Sequence, residues 1–312
     1  MNTATDAPSV LITPASAPAT MPTAMSFRSV WSELRETAFR QGWVDAGGIS
    51  TRYVQAGPED GPPLLMVHGT GGSWECFCAN LAAFSRHYNC YAFDTVGTGF
   101  SDKPDVDYEI PVYVEHVSNF MRAVGIEKAS IMGVSLGAWI AVRFALTHPE
   151  KTQSLVLISA AGLITDAKTS SDIKGARFKA VDDPSWENVS AVFKGLILEE
   201  KNRIDDFVSV RQAVYLQPGM RRAMAHILCL QEPDIRARNM VSEAEWRSLR
   251  TPTLVIGAVD HPDIFLETAQ RVSKLIPLAE YVEIRRTSHW SQFEAPKAFN
   301  QAGLEFLKRT VS

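Results

Sequence analysis

The sequence predicts an α/β protein: a mostly parallel, eight-stranded sheet with helices on both faces and a helical cap inserted. Three observations predict it. Short apolar runs of strand length alternate with helix-like segments along most of the chain. The alternation is interrupted once, over residues 163–245, which contain no convincing strand. Finally, Gly133-Val134-Ser135-Leu136-Gly137 stands between an apolar strand and a helix-like run. A strand-to-helix turn that tight needs small residues on either side of its tip.

Residues 1–25 are rich in Ala, Thr, Ser and Pro, without a basic region or long apolar core, and read as a disordered tail rather than a signal peptide. Apolar spacing over SFRSVWSELRETAFRQG fits a short amphipathic helix that packs on the body or covers a pocket mouth. GWVDAGG and ISTRYVQAG form a hairpin about Gly47-Gly48. PPLLMVHG, ending at Gly69, and NCYAFD (89–94) are buried central strands. A helix ends at Gly125, and the strand before Ser135 and the helix behind it follow. TQSLVLISAAG, TPTLVIGAVD and EYVEIRRTSH supply the last three strands, with a helix between the final two and an amphipathic helix at the C-terminus. The expected division is a tail (1–25), a first core part (26–162), a helical cap (163–245) and a second core part (246–312). In open α/β sheets a cap of this kind sits over the strands' C-terminal ends, where ligands bind.

Composition narrows the function. Net charge is −4 and the pI about 6.0, which gives no reason to expect nucleic acid or an anionic membrane as partner. No apolar run is long enough to span a bilayer. Cys76, Cys78, Cys90 and Cys229 show no zinc spacing and read as buried thiols of a cytoplasmic protein. The expected partner is a small-molecule substrate; oligomeric state is open, a homodimer included.

Ser135 at a helix N-terminus has the helix dipole and free N–H groups beside it, but a serine needs a base, and the base an orienting acid. Asp260 and His289 follow the strands TLVIGAVD and EYVEIRRTS, on the sheet edge where Ser135 emerges, in the order Ser, Asp, His. Asp263 and His261 are the nearby rivals of Asp260; Asp260 is favoured because it stands three residues after Gly257, at the strand end. His87, His116, His148 and His226 fall in or at the ends of helices and are assigned no catalytic part. His68-Gly69-Thr70-Gly71-Gly72 ends a strand in a Gly-rich turn, so the Thr70 and Leu136 N–H groups are the expected oxyanion hole, with His68 structural. This chemistry needs no metal or organic cofactor.

The marks HGTGG, DTVGTGFSDKP (94–104), GVSLG, GAVD and SHW resemble the α/β-hydrolase superfamily. The stretch His289-Trp290-Ser291-Gln292-Phe293-Glu294 resembles the meta-cleavage product hydrolases, which cleave a carbon–carbon bond in ring-fission products of aromatic degradation. That resemblance implies a 2-hydroxy-6-oxo-hexa-2,4-dienoate substrate. It also implies that Arg211, in IDDFVSVRQAVYL, meets the carboxylate and that Trp290 walls the pocket. Val134 and Leu136 stand where the family usually has Asn and Met, and the HGTGG loop lacks the family's proline. A carboxylesterase or lactonase with the same Ser-His-Asp set is the alternative, and a non-catalytic receptor on this scaffold a further one.

Overall fold

The computed structural model describes residues 9–12 and 28–311. Its nine strands are β1 (Ser9–Ile12), β2 (Phe39–Asp45), β3 (Ser50–Ala56), β4 (Pro63–Val67), β5 (Asn89–Phe93), β6 (Ala129–Val134), β7 (Thr152–Ile158), β8 (Thr253–Ala258) and β9 (Ala279–Ile284). They lie in one sheet of order β1-β9-β8-β7-β6-β4-β5-β3-β2. The β2–β3 and β3–β5 pairs are antiparallel and the rest parallel. The eight expected strands are present. The ninth, β1, pairs in parallel with β9 from within the segment read as a disordered tail. That reading is corrected for Ser9–Ile12, where an open sheet edge offers backbone partners that composition does not reveal; the rest of 1–25 lies outside the described residues.

β4 and β7 show why central strands read as unbroken apolar runs. Leu64, Leu65, Met66 and Val67, and Leu155 through Ile158, are fully buried because helices cover both faces. The helices before the cap are α1 (Val30–Leu34), α2 (Cys78–Phe84), α3 (Ile110–Ala123) and α4 (Leu136–Thr147). Between β7 and β8 come α5 (Ala167–Asp182), α6 (Trp186–Lys194), α7 (Asp205–Tyr215), α8 (Met220–Ile227), α9 (Pro233–Asn239) and α10 (Glu243–Ser248). The chain closes with α11 (Ile264–Leu275), α12 (Ser291–Glu294) and α13 (Pro296–Thr310).

The helix expected over SFRSVWSELRETAFRQG is shorter than its periodicity suggests. Ser29 and Ser32 form a capping box that starts α1, but from Phe39 the chain is drawn into the hairpin with β3. It packs on the body: Arg28 reaches Asn202 Oδ1 (2.9 Å) and the Phe293 carbonyl (3.1 Å), and the Val30 N–H donates to Asp206 (2.6 Å). The Ile158–Thr253 interval is helical, as expected of a cap, and is tied back to the core. The Trp139 indole donates to the Asn239 carbonyl (3.1 Å), and the Val241 N–H to the Gly162 carbonyl (2.8 Å).

Candidate active site

Ser135 alone makes the turn between β6 and α4. Its φ is 57° and ψ −114°, a conformation uncommon for a residue with a side chain. Its N–H donates to the Ile158 carbonyl (2.8 Å), which pins the turn to β7. A Cβ on Gly133 would run into the Gly137 backbone, and one on Gly137 into the Val67 carbonyl. Both glycines are therefore steric requirements of the elbow. A Cβ on Gly69 would stand 3.2 Å from the Ser135 Cβ and 3.8 Å from its Oγ, so the HGTGG loop passes directly beside the nucleophile. Among the described residues the Thr70 and Leu136 N–H groups have no backbone partner, and both residues line space beside Ser135. His68 is structural: its Nδ1 bonds the Gly69 carbonyl (2.8 Å) and its Nε2 accepts from the Thr95 N–H (3.1 Å).

His289 follows β9 in a turn, and its carbonyl accepts from Ser159 Oγ (2.8 Å). Burial, helped by the charges of Arg177 and His261, pushes its pKa down to about 3. It is therefore neutral near pH 7, as a general base must be. Ser135, His289, Thr70, Arg211 and Trp290 line one cavity of about 350 Å³.

The structure does not bring Asp260 to His289. The Asp260 carboxylate accepts from the Arg286 N–H (2.7 Å), stands 3.7 Å from the Arg285 guanidinium and is about one-third exposed. Asp263 is the carboxylate of that loop which lines the cavity. It caps α11, accepting from the Phe265 and Leu266 N–H groups (both 2.9 Å). The Phe265 ring meets the His289 imidazole edge-on, with centroids 4.4 Å apart.

Arg211 is buried on α7, donates to the Tyr215 hydroxyl (3.3 Å) and lies over the Phe193 ring (5.2 Å). It makes no ion pair among the described residues, so a guanidinium faces the cavity uncompensated. Trp290 both lines the cavity and packs edge-on against Phe193 and Phe207 (5.8 and 5.2 Å).

Two participants were given no role by sequence reasoning. Glu294 accepts from the Ser288 N–H (2.7 Å) and from the Leu198 and Glu199 N–H groups (2.7 and 3.3 Å), tying the His289 loop to the cap. Arg177 on α5 is a second buried arginine of the cavity. Its signal was its place in the apolar stripe Ile173, Ala180 and Val181, at helical spacing. No cluster of His, Cys, Asp or Glu suited to a metal exists among the described residues.

A β-sheet edge with a strained serine, two free N–H groups and a neutral buried histidine defines a serine hydrolase. Residues 62–296 match the alpha/beta hydrolase fold family. The chain is 30% identical, over 89% of its length and 94% of the relative's, to 2-hydroxy-6-oxo-6-(2'-aminophenyl)hexa-2,4-dienoic acid hydrolase of Metapseudomonas resinovorans. It is 26% identical to the 2-hydroxy-6-oxo-2,4-heptadienoate hydrolase of Pseudomonas putida, over 85% of this chain and 95% of that one. Among solved structures, the meta-cleavage product hydrolase CumD of Pseudomonas fluorescens IP01 aligns with TM-score 0.75 and 27% identity, covering 86% of this chain and 97% of that one. The chain belongs to the α/β-hydrolase family and, within it, to the meta-cleavage product hydrolases.

Proposed function

We propose that this enzyme hydrolyses the C5–C6 bond of a 2-hydroxy-6-oxo-hexa-2,4-dienoate. The relatives' activities support the class, and the observation in this chain that carries it is Arg211. A buried guanidinium without a counter-ion, in the same cavity as the serine, suits a planar carboxylate that it can hold through two hydrogen bonds. His289 carries a proton from the C2 hydroxyl to C5, which makes C5 a leaving carbon. Ser135 Oγ then adds to the C6 ketone as His289 takes its proton, and the oxyanion is held by the Thr70 and Leu136 N–H groups. Collapse breaks C5–C6, the electron pair runs through C3–C4 onto the C2 oxygen, and His289 gives that oxygen the proton it took from Ser135. Water, deprotonated by His289, releases the acid from Ser135.

Asp260 is the proposed orienting acid. Its support is its place just beyond β8, on the edge where Ser135 and His289 emerge; to act, its carboxylate exchanges the Arg286 N–H for the imidazole. Trp290 walls the pocket. Four unpaired, buried cysteines fit a reducing cytoplasm, and no helix among the described residues is long and apolar enough to cross a membrane.

Arg211→Gln tests the reading. Removing a buried charge from a carboxylate pair costs about 2–5 kcal/mol. The expected loss in kcat/KM on a dienoate is roughly two to three powers of ten. The loss on p-nitrophenyl acetate should be far smaller, since that ester has no carboxylate. Equal effects on both substrates, or none on either, would remove Arg211 from the site and favour the ester hydrolase.

A further inference from the structure

The cavity holds a second cation that the reaction above does not use. Arg177 is 7% exposed, and its Nε has no hydrogen-bond partner among the described residues. Its Nε lies 4.0 Å from where a Cβ on Gly71 would stand, so the guanidinium faces the loop that carries Thr70. It makes no ion pair among the described residues. Asp172, which also lines the cavity, is engaged with Lys168 (2.5 Å). Burial pushes the Arg177 pKa down to about 10, and the Arg211 charge lowers it further. Two buried guanidinium groups thus share one cavity, both without a counter-ion. A protein interior does not hold such groups cheaply, and a single carboxylate answers only one of them.

We propose that Arg177 is a second anion-binding residue of this cavity, so that the preferred ligand presents two anionic oxygens, a carboxylate to Arg211 and another to Arg177. The proposal deepens the dienoate reading and rests on it for the identity of the ligand. The second oxygen has two sources. It is the ionised C2 hydroxyl of the dienoate itself, where charge also arrives as C5–C6 breaks, or it is a carboxylate on the substituent beyond the ketone.

The test compares wild type, Arg177→Met and Arg177→Lys. Two dienoates are used, one with a neutral distal group and one with a carboxylate-ended distal chain. Inhibition of p-nitrophenyl acetate hydrolysis by adipate and by hexanoate is measured alongside. If the second oxygen is the distal carboxylate, wild type should bind adipate about tenfold or more tighter than hexanoate, the scale of one charge-assisted contact. Arg177→Met should erase that difference and Arg177→Lys should restore part of it. The melting temperature of Arg177→Met should not fall, because an uncompensated buried charge is being removed. A loss in kcat/KM confined to the distal carboxylate substrate assigns the second oxygen to that group; an equal loss on both dienoates assigns it to the C2 oxygen. Dienoate kinetics and an adipate preference that are both unchanged in Arg177→Met, or a lowered melting temperature with equal loss on every substrate, would overturn the proposal. If wild type turns over neither dienoate while the adipate preference still depends on Arg177, the substrate reading fails and the anion site stands.

Discussion

Ser135 keeps its positive φ because the residues around it leave no alternative: Gly133 and Gly137 close the turn and Ile158 holds its N–H. Gly137→Ala is expected to unfold or strongly destabilise the chain, since the added methyl meets the Val67 carbonyl rather than a mobile side chain. Thermal melting checks this; a melt within a degree of wild type would contradict it. The acid is the second question at this scale. Asp260→Asn should lose most turnover while melting like wild type. Asp263→Asn should stay active, because asparagine still caps α11. The reverse ranking in kcat would transfer the role to Asp263, which lines the cavity. The serine and histidine were legible in the sequence because each follows a strand in a recognisable turn. The acid's engagement was not, because its carboxylate is captured by the Arg286 N–H, a contact made across a turn. The two cavity arginines were partly legible. Arg211 lies among Phe207, Val208, Val214 and Tyr215, and Arg177 among Ile173, Ala180 and Val181. A charge at an apolar-stripe position is what marks a buried cation among the many arginines of the cap.

Two elements join cap to core by polar contacts. The Glu294 carboxylate on α12 gathers three backbone N–H groups from both sides of the seam. Glu294→Ala would leave them without it, at about 1–3 kcal/mol for each buried group that finds no water. The expected result is a lower melting temperature together with a reduced kcat, because the clamped segment leads directly into His289. A variant that lost stability but kept kcat would show that the clamp does not position the base. On α8, His226 bonds Asp107 through Nδ1 and Asp105 through Nε2, both at 2.8 Å. Burial opposes its positive form, but the two carboxylates outweigh burial and raise its pKa above the ordinary 6.5. A raised folded pKa gives stability that is fully present below the unfolded value and lost as pH rises through the folded one. Wild type should therefore gain stability over His226→Asn as pH falls through the range just above 6.5. Denaturant melts at several pH values measure it; parallel pH profiles for the two proteins would contradict the assignment.

Across the whole molecule, the alternation of strands and helices places Ser135 and His289 on one sheet edge, and the helical insert brings Arg211 and Arg177 over it. The architecture was legible because central parallel strands are apolar throughout and the cap is the one long stretch without them. β1 was not, because a four-residue edge strand in a Pro- and Ala-rich segment owes its pairing to β9 and not to its own pattern. The claim that this architecture performs carbon–carbon hydrolysis is tested most directly by product analysis. Wild type and Ser135→Ala are each given a 2-hydroxy-6-oxo-hexa-2,4-dienoate, and the products are identified by mass spectrometry. Wild type should yield 2-hydroxypenta-2,4-dienoate and the carboxylic acid of the distal group in equal amounts, and Ser135→Ala should yield neither at a comparable rate. Intact dienoate with wild type, alongside Ser135-dependent cleavage of simple esters, would contradict the account.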